Sequence, residues 1–256
     1  MSNKREREKR REERLAEEAK VDSGDRRKRL LQTGAGAVFV AIIAIVVVIV
    51  VASSGSSSGG DAENLSEISQ VDSLLSGIPQ QKLVLGQASA PVELIEYGDL
   101  QCPICKEYSE EFLPSIIEKQ VKNGEAKIIF RNFTIISEES IPAGQAAIAA
   151  GSQGRGWNYI ELWYRNQGEE RSGYVTEKFM ESIARGAGVK DMAKFNKERK
   201  NKATEEEVTR TYQQAQTFGF DGTPSFAIKG PSTNGIELLN TPQTVGEFEE
   251  AIEKAS

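Results

Sequence analysis

The 256-residue chain is 38% apolar, with 32 basic against 38 acidic side chains, two cysteines and no histidine. That apolar share supports one or two packed domains and excludes disorder throughout. A formal net charge of −6 argues against nucleic acid as a partner, and two cysteines without histidine cannot complete a tetrahedral zinc site within the chain, so no metal and no cofactor is implied.

Residues 1–32 are a charged head in which "KREREKRREERLAEEAK" interleaves acids and bases at helical spacing, as Glu6 with Arg10. Thr33 to Ala52, "TGAGAVFVAIIAIVVVIVVA", carries no charge. At about 1.5 Å per residue it matches a hydrocarbon core of about 30 Å and predicts a single transmembrane helix. The mixed-charge leader and the length of the apolar run read as an uncleaved anchor rather than a signal peptide. There are 12 Lys and Arg residues before residue 30 and none again until Lys82. This bias predicts a single-pass cell-membrane protein with a cytoplasmic N-terminus and an extracytoplasmic remainder. Residues 53–80 contain "SSGSSSGG" and read as a flexible linker. Once the 12 basic and 8 acidic residues of the head are set aside, 20 and 30 remain, a net charge of −10 for the exported part.

The folded domain is expected over residues 81–256, as one α/β unit with an all-helical insertion over about 140–218. Pro91 to Tyr97 predicts a strand, and Ile104, Tyr108, Phe112, Ile116, Ile117 and Val121 then recur at helical spacing, with Pro114 expected to kink that helix. Ala126 to Phe133 is apolar through its middle, as a strand buried on both faces would be, and the three elements make a βαβ unit with a partly parallel sheet. On strand alternation Glu96 shares a face with Val92 and Leu94, while Glu93 shares the opposite one with Ile95, which predicts a buried Glu96 and a solvent-facing Glu93. From Ile141 to Phe218 the helical period accommodates three to five helices, and Trp157 and Trp163 are assigned to their core rather than to a ligand groove. A strand from Pro224 to Gly230, a second at "IELLN", and a helix opened by the capping-box spacing Thr244-x-x-Glu247 complete the domain.

Both cysteines lie in "DLQCPICKEY". A Cys102–Cys105 disulfide encloses two residues and constrains little of the unfolded chain, so a structural staple gains little there. Paired sulfurs at this spacing instead permit exchange, one being attacked while the other resolves the mixed disulfide. Cys102 falls where the loop after a strand enters a helix. Unpaired N–H groups there favour its thiolate, whereas Cys105, one turn inside, is expected to be more buried and less acidic.

From Leu83 to Ala255, and most densely in "APVELIEYGDLQCPIC", "IIFRNF" and "GTPSFAIKG", the sequence resembles the DsbA-like thiol–disulfide oxidoreductases of the thioredoxin superfamily. The resemblance implies a thioredoxin-like fold interrupted by the helical insertion, with a cis Thr223–Pro224 loop facing the cysteines. Cys102 and Cys105 are then catalytic, Glu96 is a buried acid relaying protons to Cys105, and Pro103, Ile104, Thr223 and Pro224 meet the substrate. It also implies exported protein thiols as substrates and a quinone-linked integral membrane protein as redox partner. Ile104 departs from the pattern. Oxidase members have histidine there, and losing that cation is expected to raise the Cys102 pKa and weaken the disulfide as an oxidant. The reading is an extracytoplasmic oxidase that donates the Cys102–Cys105 disulfide. The alternatives are an envelope reductase or isomerase, and a non-catalytic binding or scaffold module.

Overall fold

A computed structural model describes residues 65–256. The charged head, the apolar run 33–52 and the Ser/Gly stretch lie outside the described residues. Among the described residues no helix is long and apolar enough to cross a membrane. The linker assignment needs correcting at its end, because residues 65–80 belong to the folded body. Helix α1, Ile68–Leu75, buries Val71 and Leu75, and Leu65 and Ile68 come up against Gly186 of the insertion. Its apolar stripe at Ile68, Val71 and Leu75 is diluted by serines, which is why composition merges it with the tether.

Six strands form one sheet: β1 (Gln80–Gln81), β2 (Val84–Leu85), β3 (Val92–Gly98), β4 (Ala126–Asn132), β5 (Ser225–Lys229) and β6 (Glu237–Leu239). Their order is β1-β2-β4-β3-β5-β6. Only the central β3–β4 pair is parallel, bridged by the expected βαβ crossover, and every other pairing is antiparallel. The crossover is α2, residues 103–121. Pro114 does not break it. A π-helical turn over Tyr108–Phe112, closed by the Leu113 N–H on the Tyr108 carbonyl, comes immediately before the proline and absorbs its misfit with the preceding turn.

The insertion holds five helices: α3 (Ser140–Gly151), α4 (Gly156–Arg165), α5 (Glu177–Gly186), α6 (Met192–Glu198) and α7 (Lys202–Thr217). Helix α8, Val245–Ala255, starts at the expected cap: Thr244 Oγ1 accepts the Glu247 N–H, and the Glu247 carboxylate returns to the Gln243 N–H.

Both sheet faces are covered. Val92, Leu94, Ile128, Phe130, Phe226 and Ile228 belong to the main core. Ile95, Tyr97, Ile129 and Ala227 pack on the other side with Ala215 of α7. Glu93 is therefore half-buried and paired with Lys127 at 3.2 Å rather than free in solvent, and Glu96 is buried. Trp157 and Trp163 are buried as expected, and both indole N–H groups donate to backbone carbonyls, Trp157 to Leu83 and Trp163 to Leu100.

The turn at Lys82 presses on the insertion so closely that two helix-end glycines have no room for a side chain. A Cβ on Gly151 would lie 2.8 Å from the Lys82 carbonyl, and one on Gly156 would lie deeper still inside van der Waals contact with the same oxygen. Gly156→Ala is expected to cost about 1–3 kcal/mol, at roughly 2–4 °C of melting temperature per kcal/mol. Gly222→Ala, with nothing within 4 Å of the added methyl group, is expected to leave the melting temperature unchanged. Calorimetry on the two variants checks this, and equal melting points would show that the Lys82 turn yields.

Candidate active site

The site forms where β3 ends and α2 begins. Asp99, Leu100, Gln101 and Cys102 connect them, and all four are buried, so their backbone groups need partners inside the protein. Asp99 supplies one set. Its Oδ1 accepts the Gln101 N–H at 2.9 Å, and its Oδ2 accepts the Ile135 and Ile136 N–H groups at 2.8 and 2.9 Å. The insertion supplies another. Trp163, Gln167 and Tyr174 all donate to the Leu100 carbonyl, Gln167 also reaches the Cys102 carbonyl at 3.1 Å, and Tyr164 donates to the Asp99 carbonyl.

Cys102 is the N-cap of α2, with Pro103 in its first turn. Its sulfur accepts the Cys105 N–H at 3.3 Å and lies 3.3 Å from the Thr223 carbonyl oxygen. The Thr223–Pro224 bond is cis and Pro224 is buried. Cys105 was expected to be the more buried thiol, but the difference is slight: Cys102 is 3% exposed against 0% for Cys105, because the Thr223 loop closes over it. Pro103 and Ile104 are the exposed members of the motif, with Ile104 at 48%.

The two thiols are driven apart. Cys102 is lowered from 9.0 to about 6. The largest cause is the hydrogen bond from the Cys105 thiol; burial opposes it, and backbone N–H groups at the helix start assist. A low value is therefore reached without a cation at Ile104, and the helix terminus is not its main source. Cys105 is pushed well above 9.0, first by burial and then by its neighbour Cys102 and by Glu96.

Glu96 reaches the site from β3, on the Leu94 face. Burial, then the charges of Glu161 and Cys102, raise it from 4.5 to about 8. Its Oε1 has no hydrogen-bond partner among the described residues. Gly98 leaves the space beside it, since a Cβ there would lie 2.6 Å from the Phe130 ring and 3.1 Å from Glu96 Oε1.

The structure thus gathers Cys102, Cys105, Glu96, Thr223 and Pro224 at one place, with Pro103 and Ile104 on its rim. Sequence reasoning missed Asp99, Tyr164, Gln167 and Glu161, and assigned Trp163 to the core alone. Asp99 lay three residues from Cys102 and could have been noticed. The others act across more than fifty residues of sequence, where spacing carries no signal.

A thioredoxin family model matches residues 79–254. The chain belongs to the thioredoxin family. Among its relatives, a probable disulfide bond formation protein D of Bacillus cereus is 29% identical over 153 residues, covering 59% of this chain and 71% of that protein. Disulfide bond formation protein D of Bacillus subtilis is 25% identical over 194 residues, covering 74% and 84%. The fold is shared with solved structures. The oxidised crystal structure of BdbD from Bacillus subtilis superposes with a TM-score of 0.60 at 20% identity, over 70% of this chain and 97% of that one. Wolbachia pipientis alpha-DsbA1 gives 0.56 at 22% identity, over 72% and 95%. The chain is a DsbA-like thiol–disulfide oxidoreductase of this family.

Two pH dependences follow from the site. In the reduced protein, alkylation of Cys102 is expected to rise through a midpoint of about pH 6, with Cys105 reacting much more slowly; mass mapping of iodoacetamide adducts against pH checks this. Glu96 has a folded pKa above its unfolded one, so its contribution is fully present below pH 4.5 and lost as pH rises through about 8. Relative to wild type, Glu96→Gln should therefore gain stability between pH 4.5 and 9, at about 1.4 kcal/mol for each pH unit between the two values. Urea unfolding of the dithiol forms at both pH values measures it, and a constant difference would place Glu96 in contact with water.

Proposed function

We propose that this protein is a membrane-tethered, extracytoplasmic disulfide oxidase that passes a Cys102–Cys105 disulfide to the thiols of exported proteins. The observation that carries the reading is the split between the sulfurs. A thiolate favoured at Cys102 by the Cys105 thiol and the N–H groups at the start of α2 stabilises the reduced enzyme and so makes its disulfide a better electron acceptor. The Cys102 displacement from 9.0 to about 6 is only partly expressed at neutral pH, where about one pH unit of it, roughly 30 mV, is realised.

The steps balance as follows. A substrate thiolate attacks the Cys102 sulfur, a substrate–Cys102 bond forms, and the Cys102–Cys105 bond breaks. Cys105 leaves as a thiolate and, because its pKa lies well above neutral, takes a proton from the Glu96 carboxyl. A second substrate thiolate then attacks the substrate sulfur of the mixed disulfide and expels Cys102 as a thiolate. The substrate has lost two electrons and gained a disulfide, and the enzyme holds two electrons in its dithiol. Exposed Pro103 and Ile104, with the Thr223 backbone, form the surface an extended substrate would meet. An integral membrane protein linked to quinones would reoxidise the dithiol, and the apolar run 33–52 would keep the domain within its reach.

Ile104 supports a second reading, an envelope reductase or isomerase, because an uncharged side chain there adds nothing to the thiolate. Cys105→Ala is expected to accumulate mixed disulfides with exported proteins through Cys102, and Cys102→Ala none. A membrane-impermeant maleimide should label Cys102 of the dithiol form in intact spheroplasts, and the wild-type pair should equilibrate with glutathione as an oxidant. A pair held reduced in the envelope and far below the glutathione potential would favour the reductase, and labelling only after lysis would overturn the topology.

A further inference from the structure

Strand β2 is two residues long and pairs with β4 only at Ile128 and Ile129. Apart from one further hydrogen bond, from the Phe130 N–H to the Leu83 carbonyl, the second half of β4 therefore runs on past the end of its neighbour as an open edge. Helix α3 and the start of α7 stand beside this stretch, and with the Lys82 turn they line a cavity of about 520 Å³. That volume falls within the roughly 300–1,000 Å³ of small-molecule sites. The exchange steps use none of its lining residues.

Because the cavity wraps the open edge, side chains from both faces of β4 reach it, Ile129 and Arg131 from one and Asn132 from the other. Part of the lining is apolar: Val84 and Ile129 come from the sheet, Ile148 and Ala149 from α3, and exposed Ala203 from the start of α7. Asn132 is 2% exposed, and its side-chain amide makes no hydrogen bond among the described residues. Only its backbone carbonyl is engaged, by Thr211 Oγ1 at 2.8 Å. Gly144 on α3 clears room for the amide, since a Cβ there would lie 2.7 Å from Asn132 Oδ1. A buried amide of this kind requires a partner, and its NH₂ group can donate to an oxygen placed in the cavity.

Charge around the cavity is unevenly satisfied. Both carboxylates of the lining are already held. Glu207 accepts two hydrogen bonds from Arg210, at 2.6 and 3.2 Å, and Glu198 accepts from Ser152 Oγ and lies 3.7 Å from Lys194. The Arg131 guanidinium makes no hydrogen bond among the described residues, and its ion-pair partner Glu207, 3.7 Å away, is taken up by Arg210. Lys82 has no ion pair among the described residues. A half-buried guanidinium with free N–H groups is a planar fork that grips a carboxylate through two parallel hydrogen bonds.

We propose that this cavity binds a small organic carboxylate whose apolar body carries a hydroxyl or carbonyl oxygen. Arg131 pairs with the carboxylate, the body lies against Val84, Ile129, Ile148 and Ala149, and the Asn132 amide donates to the second oxygen. Each part of the ligand answers a feature of the cavity: the unneutralised cation, the hydrocarbon lining and the unpartnered buried amide.

The test uses the full chain in a non-ionic detergent with 4-fluoro-3-hydroxybenzoate as the probe, followed by fluorine NMR. The comparators are 4-fluorobenzoate, which lacks the hydroxyl, and 2-fluorophenol, which lacks the carboxylate. The probe is expected to bind saturably at one site, about tenfold more tightly than 2-fluorophenol and about fivefold more tightly than 4-fluorobenzoate. Arg131→Gln should erase the first preference and Asn132→Ala the second. Ala203→Trp, at an exposed helix position on the lining, should block all three compounds, which separates the cavity from uptake by micelles. Circular dichroism checks that each variant is folded. Independently of any variant's stability, the side-chain amide resonance of Asn132 in the wild-type chain should shift as the probe saturates. Absence of saturable binding, binding that survives in folded Ala203→Trp protein, preferences unchanged in folded Arg131→Gln and Asn132→Ala, or an Asn132 resonance that stays in place at saturation each overturns the proposal.

Discussion

Burying the backbone between β3 and α2 is the constraint on which this structure turns. Residues 99–102 run through the interior, where an unpaired carbonyl costs on the order of 1–3 kcal/mol. The Asp99 carboxyl satisfies part of the loop from within, and Trp163, Tyr164, Gln167 and Tyr174 satisfy the rest from the insertion. The helical block is thus more than a lid on the sheet: it fixes the path that places Cys102 at the start of α2. Loss of any one donor would leave the others in place, which is why the Leu100 carbonyl, with three, is the firmest point of the site.

Burial also makes the two cysteines chemically unequal. They lie within one helical turn of each other, yet Cys102 gathers donors around its sulfur, while at Cys105 burial, the neighbouring Cys102 and Glu96 outweigh the one backbone hydrogen bond, from Asp99, that favours its thiolate. The same low-dielectric setting raises Glu96 to about 8, so one small region contains a thiol whose ionisation is favoured, a thiol reluctant to ionise and a carboxyl held well above the usual carboxylate range. That combination is what an exchange reaction with a buried leaving group needs. After burial, the next contribution to the raised Glu96 is the charge of Glu161, from α4 of the insertion.

Much of this was legible in the residue order. The β3–α2–β4 crossover showed itself as an alternating run, a helical period and a continuous apolar run, because each local pattern reports the faces its element buries. The capped start of α8 at Thr244 followed from a three-residue spacing, and the placement of Cys102 ahead of Cys105 at a helix entrance from two cysteines after a strand. The second side of the sheet was less visible. Glu93 was expected in water, but Lys127 on the neighbouring strand pairs with it and α7 covers the face it shares with Ile95. Helix α1 was hidden by its serines, and its burial depends on Gly186, more than a hundred residues away.

By itself, then, the sequence determined the family, the order of elements and the placement of two paired sulfurs at a helix entrance, all of which are encoded in short periods and spacings that neighbouring residues enforce. Only the tertiary structure decided how those sulfurs are set. The closure of the Thr223 carbonyl over Cys102 and the shared hold of the insertion on Leu100 join residues between 63 and 121 positions apart. No local pattern records such meetings, because they arise from how the whole sheet and the insertion exclude water together.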